Sequence, residues 1–461
     1  VYRLSLALSG HAKTTRFSAI NAGPKIARQI NVNGAMSAVS RVILLTFFTA
    51  SATYADVAPA QKAVWTFRPS LAARIGYDDN VFLQDPAAVL PTVSGAVPDR
   101  AGSWVGRASV ALETTWRLSP AFQFDAGYSP ELVRYEAYSS EHHDNHTLNL
   151  GVRGHEGSWS YQLKGSVLLV DGSEESPIFG HVGSGPAIGG VPVRSRRDQI
   201  NSKLGGQLTH TFGESFVRAV TDLCVNDYGT RHHSTATVPG YANYVDRSEW
   251  SAGADVGHFA SKDFAFLVGV RGGQQNQANL LGVSHNYDNT FARFLVGVEG
   301  KPHGDLTLRI LAGPDVRHYG DDVAASFDRT RTTRYIEASA TWTPTTDDTL
   351  TFTGKDYLWL SSGGPCAYQH TAGNLQWKHR FNSDWTLALA ADVQVGDSRD
   401  YAPGGRNDWI YGGTFTVIRS LGAKTKIDFE LLREWSDSTI ENTPGREYTR
   451  WMATIGVRQL F

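Results

Sequence analysis

The chain has 461 residues, a formal net charge of −2 at pH 7 and 41% hydrophobic residues. Charge this close to zero excludes nucleic acid as the main partner, and no stretch approaches the ~18 consecutive apolar residues of a transmembrane helix. Glycine (46), tryptophan (12) and tyrosine (18) are plentiful while cysteine and methionine number 2 each, a balance suited to a barrel whose turns need glycine and whose rims need aromatic rings.

Residues 1–35 begin with Val, are basic and carry no periodic pattern. They are read as a mis-assigned upstream stretch or an extended n-region, with Met36 as the true start. Arg41 then supplies a short basic n-region, and Val42 to Ala50 an apolar h-region. Thr53 and Ala55 are small residues at −3 and −1. This is the pattern of a secretory signal peptide over 36–55, cleaved before Asp56; the alternative is a buried strand. Residues 56–64 follow as a short periplasmic segment, and 65–461 as the barrel.

From residue 65 the apolar pattern has period 2. In 385–395, Trp385, Leu387, Leu389, Ala391, Val393 and Val395 fall on one face, and Thr386, Asp392 and Gln394 on the other. Successive side chains of a strand point to opposite faces, so one face meets lipid and the other a polar interior. About 18 such runs follow one another, near 65–77, 103–117, 122–136, 145–154, 158–170, 196–211, 216–228, 244–259, 264–275, 286–299, 305–318, 332–343, 349–360, 367–380, 385–397, 406–419, 424–436 and 446–461. Short connections, such as Leu118 to Ala121 and Phe212 to Ser215, alternate with long ones, such as 78–102, 171–195 and 229–243. Tight periplasmic turns facing long extracellular loops mark an outer-membrane barrel. The expected fold is therefore all-β, a transmembrane antiparallel up-and-down barrel of about 16 to 18 strands, in the outer membrane of a Gram-negative bacterium.

Aromatic residues sit beside the turns. Trp116, Phe122, Trp159, Phe212, Phe216, Phe264, Trp342 and Trp385 flank the short ones; Trp409, Tyr411, Trp435, Tyr228 and Tyr319 lie towards the long loops. Two headgroup girdles are expected from them. The last strand alternates through Trp451, Ala453, Ile455 and Val457 and ends on Phe461. It resembles the terminal signal read by the barrel assembly machinery, with Gln459 departing from that pattern.

Charged residues on the polar face of the strands carry the interior. Basic side chains assigned to the lumen are Arg68, Arg74, Arg107, Arg153, Lys203, Arg218, Arg271, Arg293, Arg309, Arg450 and Arg458. Acidic ones are Glu113, Asp125, Asp222, Asp255, Glu299, Glu337, Asp392, Asp428 and Glu430. On the lipid face each would cost about 2–4 kcal/mol near the midplane, so they meet water or one another. A wet, charge-lined pore and a closed lumen laced with ion pairs both satisfy this. Loops 171–195 and 78–102 are candidate constrictions, or simply surface loops. His142, His143 and His146 share one predicted loop and His232 and His233 another; they are read as solvated, and no metal site and no cofactor are expected. Cys224 and Cys366 are not expected to pair. No nucleophile elbow, phosphate loop or His-Glu-x-x-His is present, and no enzyme is expected.

At the end of the first strand stands Gly76-Tyr77-Asp78-Asp79-Asn80-Val81-Phe82, echoed by Tyr287-Asp288-Asn289-Thr290-Phe291. Tyr77, Asp78, Asn80 and Phe82 resemble the Tyr-Asp-x-Asn-(Val/Ile)-Phe signature of the β-barrel porin type 2 family. That resemblance implies an outer-membrane barrel, often associated with exopolysaccharide operons. The residues by themselves read equally as a strand-to-loop exit, where Asp and Asn suit turn geometry. The function expected is a pore for small solutes or ions, or for exported polysaccharide. The alternatives are an adhesin, receptor or scaffold acting through its loops, and last a barrel hydrolase. Outer-membrane lipids and the assembly machinery are the expected partners, and homo-oligomerisation is left open.

Overall fold

The computed structural model describes residues 63–83, 100–171, 198–228, 245–278, 287–323, 327–361, 367–399, 405, 407–439 and 447–461. The upstream stretch 1–35, the signal peptide 36–55, residues 56–62, loop 172–197 with most of loop 78–102, His232, His233 and Cys366 lie outside the described residues.

Eighteen strands run through the described residues. They are β1 (Val64–Asp78), β2 (Ser103–Ser119), β3 (Phe122–Tyr135), β4 (His143–Glu156), β5 (Trp159–Asp171) and β6 (Gln199–Phe212). There follow β7 (Ser215–Asp227), β8 (Arg247–Ser261), β9 (Phe264–Gln277), β10 (Asn289–His303), β11 (Leu306–Tyr319) and β12 (Thr330–Trp342). The last six are β13 (Asp348–Leu360), β14 (Ala367–Arg380), β15 (Trp385–Asp397), β16 (Asn407–Ser420), β17 (Thr425–Ser438) and β18 (Tyr448–Leu460). Each pairs antiparallel with its chain neighbours, and β1 also pairs with β18, from Ser70↔Leu460 to Asp78↔Met452. The sheet closes on itself, so no strand edge is left along the seam.

Alternation sets which face goes out. On β9 and β10 the outward Phe266, Val268, Phe294 and Val296 are 54–62% exposed. Between them point Leu267 and Leu295, both buried. The same outward apolar face continues through Leu71 and Ile75 on β1 and Ile455 and Val457 on β18. A water-soluble protein does not carry an apolar belt around its circumference; a barrel in lipid requires one. Closure and belt together place the chain in the outer membrane.

Short turns use glycine where the backbone turns left-handed: Gly157 and Gly213 both have φ 58°. Two inward glycines serve a different need. A Cβ on Gly313 would lie 1.8 Å from the Phe294 carbonyl oxygen, and one on Gly297 2.1 Å from that of Ile310. Here β10 and β11 press together too closely for any side chain. Gly313→Ala is expected to force the pair apart and lower stability by about 1–3 kcal/mol, read as an earlier urea midpoint of the refolded barrel.

Candidate functional site in the lumen

Strand parity places Arg68, Arg74, Arg107, Arg153, Lys203, Arg218, Arg271, Arg293, Arg309, Arg450 and Arg458 on the face opposite the apolar belt, together with Glu113, Asp125, Asp222, Asp255, Glu299, Glu337, Asp392, Asp428 and Glu430. Their surroundings divide the lumen in two. Arg68, Glu113, Arg153, Lys203, Asp222 and Arg458 point inward yet are exposed, as is Lys164, which the sequence reading left out. Open space inside the barrel is the only surface available to them. Between these groups Asp125 accepts from the Thr115 hydroxyl at 2.7 Å, and Arg74 meets Asp428 at 2.9 Å.

The wall from β7 to β12 is instead laced shut. Arg218 bonds Asp255 at 2.9 Å and, two strands further round, grips Glu299 with both terminal nitrogens at 2.8 and 2.9 Å. Arg271 meets Asp255 at 2.7 Å. Asp315 takes Arg293 at 2.9 Å and Arg317 at 2.7 Å. Arg309 reaches Glu337 at 2.8 Å, and the Tyr335 hydroxyl donates to the same carboxylate at 2.7 Å. Asp255, Asp315 and Arg317 are 0% exposed. Removing one partner from such a network strands a buried charge, so the wall is rigid even if the pairs add little net stability. Parity gives the inward position of each charge, but not the pairing, and Glu249, Asp315 and Arg317 were not among the residues singled out.

A hairpin enters the lumen above this wall. β13 pairs with β12 only from Leu350↔Trp342 to Ile336↔Asp356, whereas its pairing with β14 continues to Leu360↔Ala367. Past Asp356 the two strands leave the wall together. The Leu358 carbonyl accepts from Gln275 Nε2 at 3.1 Å and Arg317 Nη2 at 3.4 Å. The Ser361 carbonyl accepts from Gln277 Nε2 at 2.6 Å, and the Leu360 carbonyl from Arg247. Those donors stand on β8, β9 and β11, none of them a wall neighbour of β13. Leu358, Leu360 and Ala367 pack on Tyr287, Tyr319 and Val323. The sequence carried a signal for this: Tyr357-Leu358-Trp359-Leu360 breaks the alternation with an unbroken apolar run.

The first-strand motif does a second piece of inward folding. Arg450 grips both oxygens of buried Asp78 at 2.9 and 2.5 Å. The Tyr135 hydroxyl donates to Asp78 at 3.3 Å, and the Asn80 amide at 3.1 Å. Asn80 Nδ2 in turn donates to the Thr449 carbonyl at 2.9 Å. Val81, Phe82 and Leu83 then turn inside and pack on Val105, Val133 and Met452. Tyr77 points outward between Trp104 and Trp451, at 5.7 and 5.6 Å. The echo motif is turned the other way: Tyr287 is the buried residue, Asp288 accepts from the Gln277 backbone amide at 2.6 Å, and Asn289 Nδ2 donates to Gln275 at 3.2 Å. Burial pushes the Asp288 carboxyl up from the ordinary carboxylate range.

Several assignments move. His143 and His146 lie in β4 rather than a loop, and His142 caps a 3-10 turn, Ser139–Glu141. His146 stands outward against Tyr128, 2.9 Å from its hydroxyl. Among the described residues no group of three or more His, Cys, Asp and Glu could hold a metal ion. Phe216 and Tyr319 are buried inside and Tyr228 packs on the interior cluster, so none of the three belongs to a girdle. Trp116, Trp159, Phe212, Trp342, Trp385, Trp409 and Tyr411 do stand exposed on the outside. On β18 Trp451, Ile455 and Val457 are exposed too, as is Phe461 just after it.

No family model matches the chain. No curated protein sequence matches it. Among solved structures it is similar to the outer membrane protein OpdK from Pseudomonas aeruginosa, at 8% identity and a TM-score of 0.40, over 86% of this chain and 99% of that one. It is similar also to an anion-selective porin from Comamonas acidovorans, at 11% identity and a TM-score of 0.35, over 87% and 100%. A BenF-like porin from Pseudomonas fluorescens Pf-5 gives 11% and 0.40, over 86% and 99%. The membrane assignment rests on the closed barrel and its belt.

Proposed function

We propose that this chain is a diffusion pore for small charged solutes. One observation carries the reading: Arg68, Glu113, Arg153, Lys164 and Lys203 point inward and are still exposed. A lumen filled by side chains would have buried them, as the β7–β12 wall buries its own charges. Solutes pass along the open side, β1 to β6, and the β13–β14 hairpin narrows the passage from the other. The facing charges set selectivity.

The likeness of Tyr77, Asp78, Asn80 and Phe82 to the porin type 2 signature supports a finer reading, passage of secreted polysaccharide. The outward alternation of Trp451, Ile455 and Val457 up to Phe461 supports recognition by the assembly machinery, and Met36 to Ala55 serves as the signal that directs export. The refolded mature chain, residues 56–461, should give stable single-channel steps in a planar bilayer. A folded, heat-modifiable barrel that gives none would sink the pore reading and turn attention to its external loops.

A further inference from the structure

Several inward cations of the described residues have no ion pair, and three of them stand near one another. Lys203, Arg247 and Lys355 have no carboxylate within 4.0 Å among the described residues, although Arg218, Arg271, Arg293, Arg309 and Arg317 all do. Arg247 is 7% exposed. It holds the Leu360 carbonyl and lies 5.0 Å over the Trp359 ring, and its Nε has no partner. Lys355 sits 4.4 Å from the Tyr357 ring and 5.7 Å from that of Tyr335. With the Leu360 carbonyl, the Trp359 ring and the Tyr368 hydroxyl around it, the buried Arg247 guanidinium has neutral partners and lacks a charged acceptor.

The three converge. Lys203 faces Cys224 across the β6–β7 pair, and Cys224 faces Glu249 across β7–β8. Arg247 is the next inward residue of β8, and Lys355 reaches the cluster at the Tyr335 ring, which it shares with Arg293, the partner of Glu249. The nearby acids are mostly committed. Glu249 is held by Gln275 and by Arg293 at 3.4 Å. Glu337 is held by Arg309 and Tyr335. Asp222 is left to offset three cations.

We propose that Lys203, Arg247 and Lys355 form an anion-binding site beside the β13–β14 hairpin, which takes the carboxylate, sulfonate or phosphate group of a passing solute. The proposal deepens the pore reading and rests on it. An oxyanion there supplies charge-assisted bonds to all three cations, stronger than the carbonyl and ring contacts they now have.

Cys224, a free thiol at the centre of the cluster, reports on it directly. In a Cys366→Ser background it is the one remaining cysteine. Its thiolate attacks the sulfenyl sulfur of a methanethiosulfonate, forms a mixed disulfide and releases methanesulfinate. Modification rates of the folded barrel would be compared for the anionic sulfonatoethyl reagent and the cationic trimethylammonioethyl reagent, each divided by its rate on the unfolded chain. The thiolate fraction cancels in the ratio, which reads the local potential alone. The anionic reagent should be favoured on the order of tenfold. Lys203→Gln alone should reduce that preference severalfold, Lys203→Gln with Lys355→Gln should abolish it, and inorganic phosphate should slow the anionic reagent selectively. Equal rates, or a faster cationic reagent, would overturn the anion site and leave the pore intact. A folded barrel in which neither reagent reaches Cys224 would overturn both readings.

Discussion

Arg450→Leu is expected to destabilise the barrel by about 3–5 kcal/mol, the cost of leaving a buried charge without its partner. Asp78 is 0% exposed and would lose the guanidinium that grips both its oxygens, while the Tyr135 hydroxyl, at 3.3 Å, and the Asn80 amide, at 3.1 Å, are neutral donors that do not replace a charge. The damage would extend beyond the pair. Asp78 and Arg450 bridge β1 and β18, the seam that closes the sheet, and Asp78 also fixes the turn that sends Val81, Phe82 and Leu83 inside. Urea unfolding of the refolded protein in lipid vesicles, followed by tryptophan fluorescence, gives the number. The double variant Asp78→Asn with Arg450→Leu should recover part of the loss, because no buried charge then remains uncompensated. A single variant within 1 kcal/mol of the parent would show that lumenal water reaches Asp78 and that the motif is not an anchor.

The wall of the barrel was legible in the sequence because lipid enforces it at every second residue. Trp385 to Val395 could be assigned face by face, and the strand number followed by repetition. What fills the lumen was far less legible. Alternation says that Arg218 and Glu299 point inward, yet nothing local says that a side chain on β7 reaches past β8 and β9 to grip one on β10. Such contacts depend on the curvature of the closed sheet, which no window of sequence contains. Loops 78–102 and 171–195, read as candidate constrictions or surface loops, lie mostly outside the described residues. The inward segment Tyr357 to Leu360 escaped notice because it continues a strand of ordinary length, where only its unbroken apolar run sets it apart. The Asp78 motif lies between these cases. Its residues were noticed as a resemblance and as a strand exit, and the exit geometry proved to be the physical content: an Asx-type turn with its carboxylate tied to the last strand.

Removing the hairpin end should enlarge the pore. Replacing residues 358–369 by Asn-Gly keeps β13 paired with β12 up to Asp356 and β14 with β15 from His370 onward, at the loss of the single wall pair Gln369↔Asp397. Single-channel conductance is expected to rise severalfold, with unchanged heat-modifiability. A milder test removes the fastenings alone. Gln275→Ala and Gln277→Ala delete side-chain bonds to the Leu358 and Ser361 carbonyls, each worth about 1 kcal/mol, and should produce flickering between two conductance levels as the hairpin loosens. Unchanged conductance in the deletion variant would mean that the passage lies elsewhere in the lumen. The surface beneath the hairpin argues for the expected outcome. The groups that hold it are Arg247, Gln275, Gln277 and Arg317, all polar and all able to take water in place of a carbonyl. The hairpin also packs on Tyr287, Tyr319 and Val323, so its removal bares a mixed surface, and the four polar groups are what keep that lining wettable.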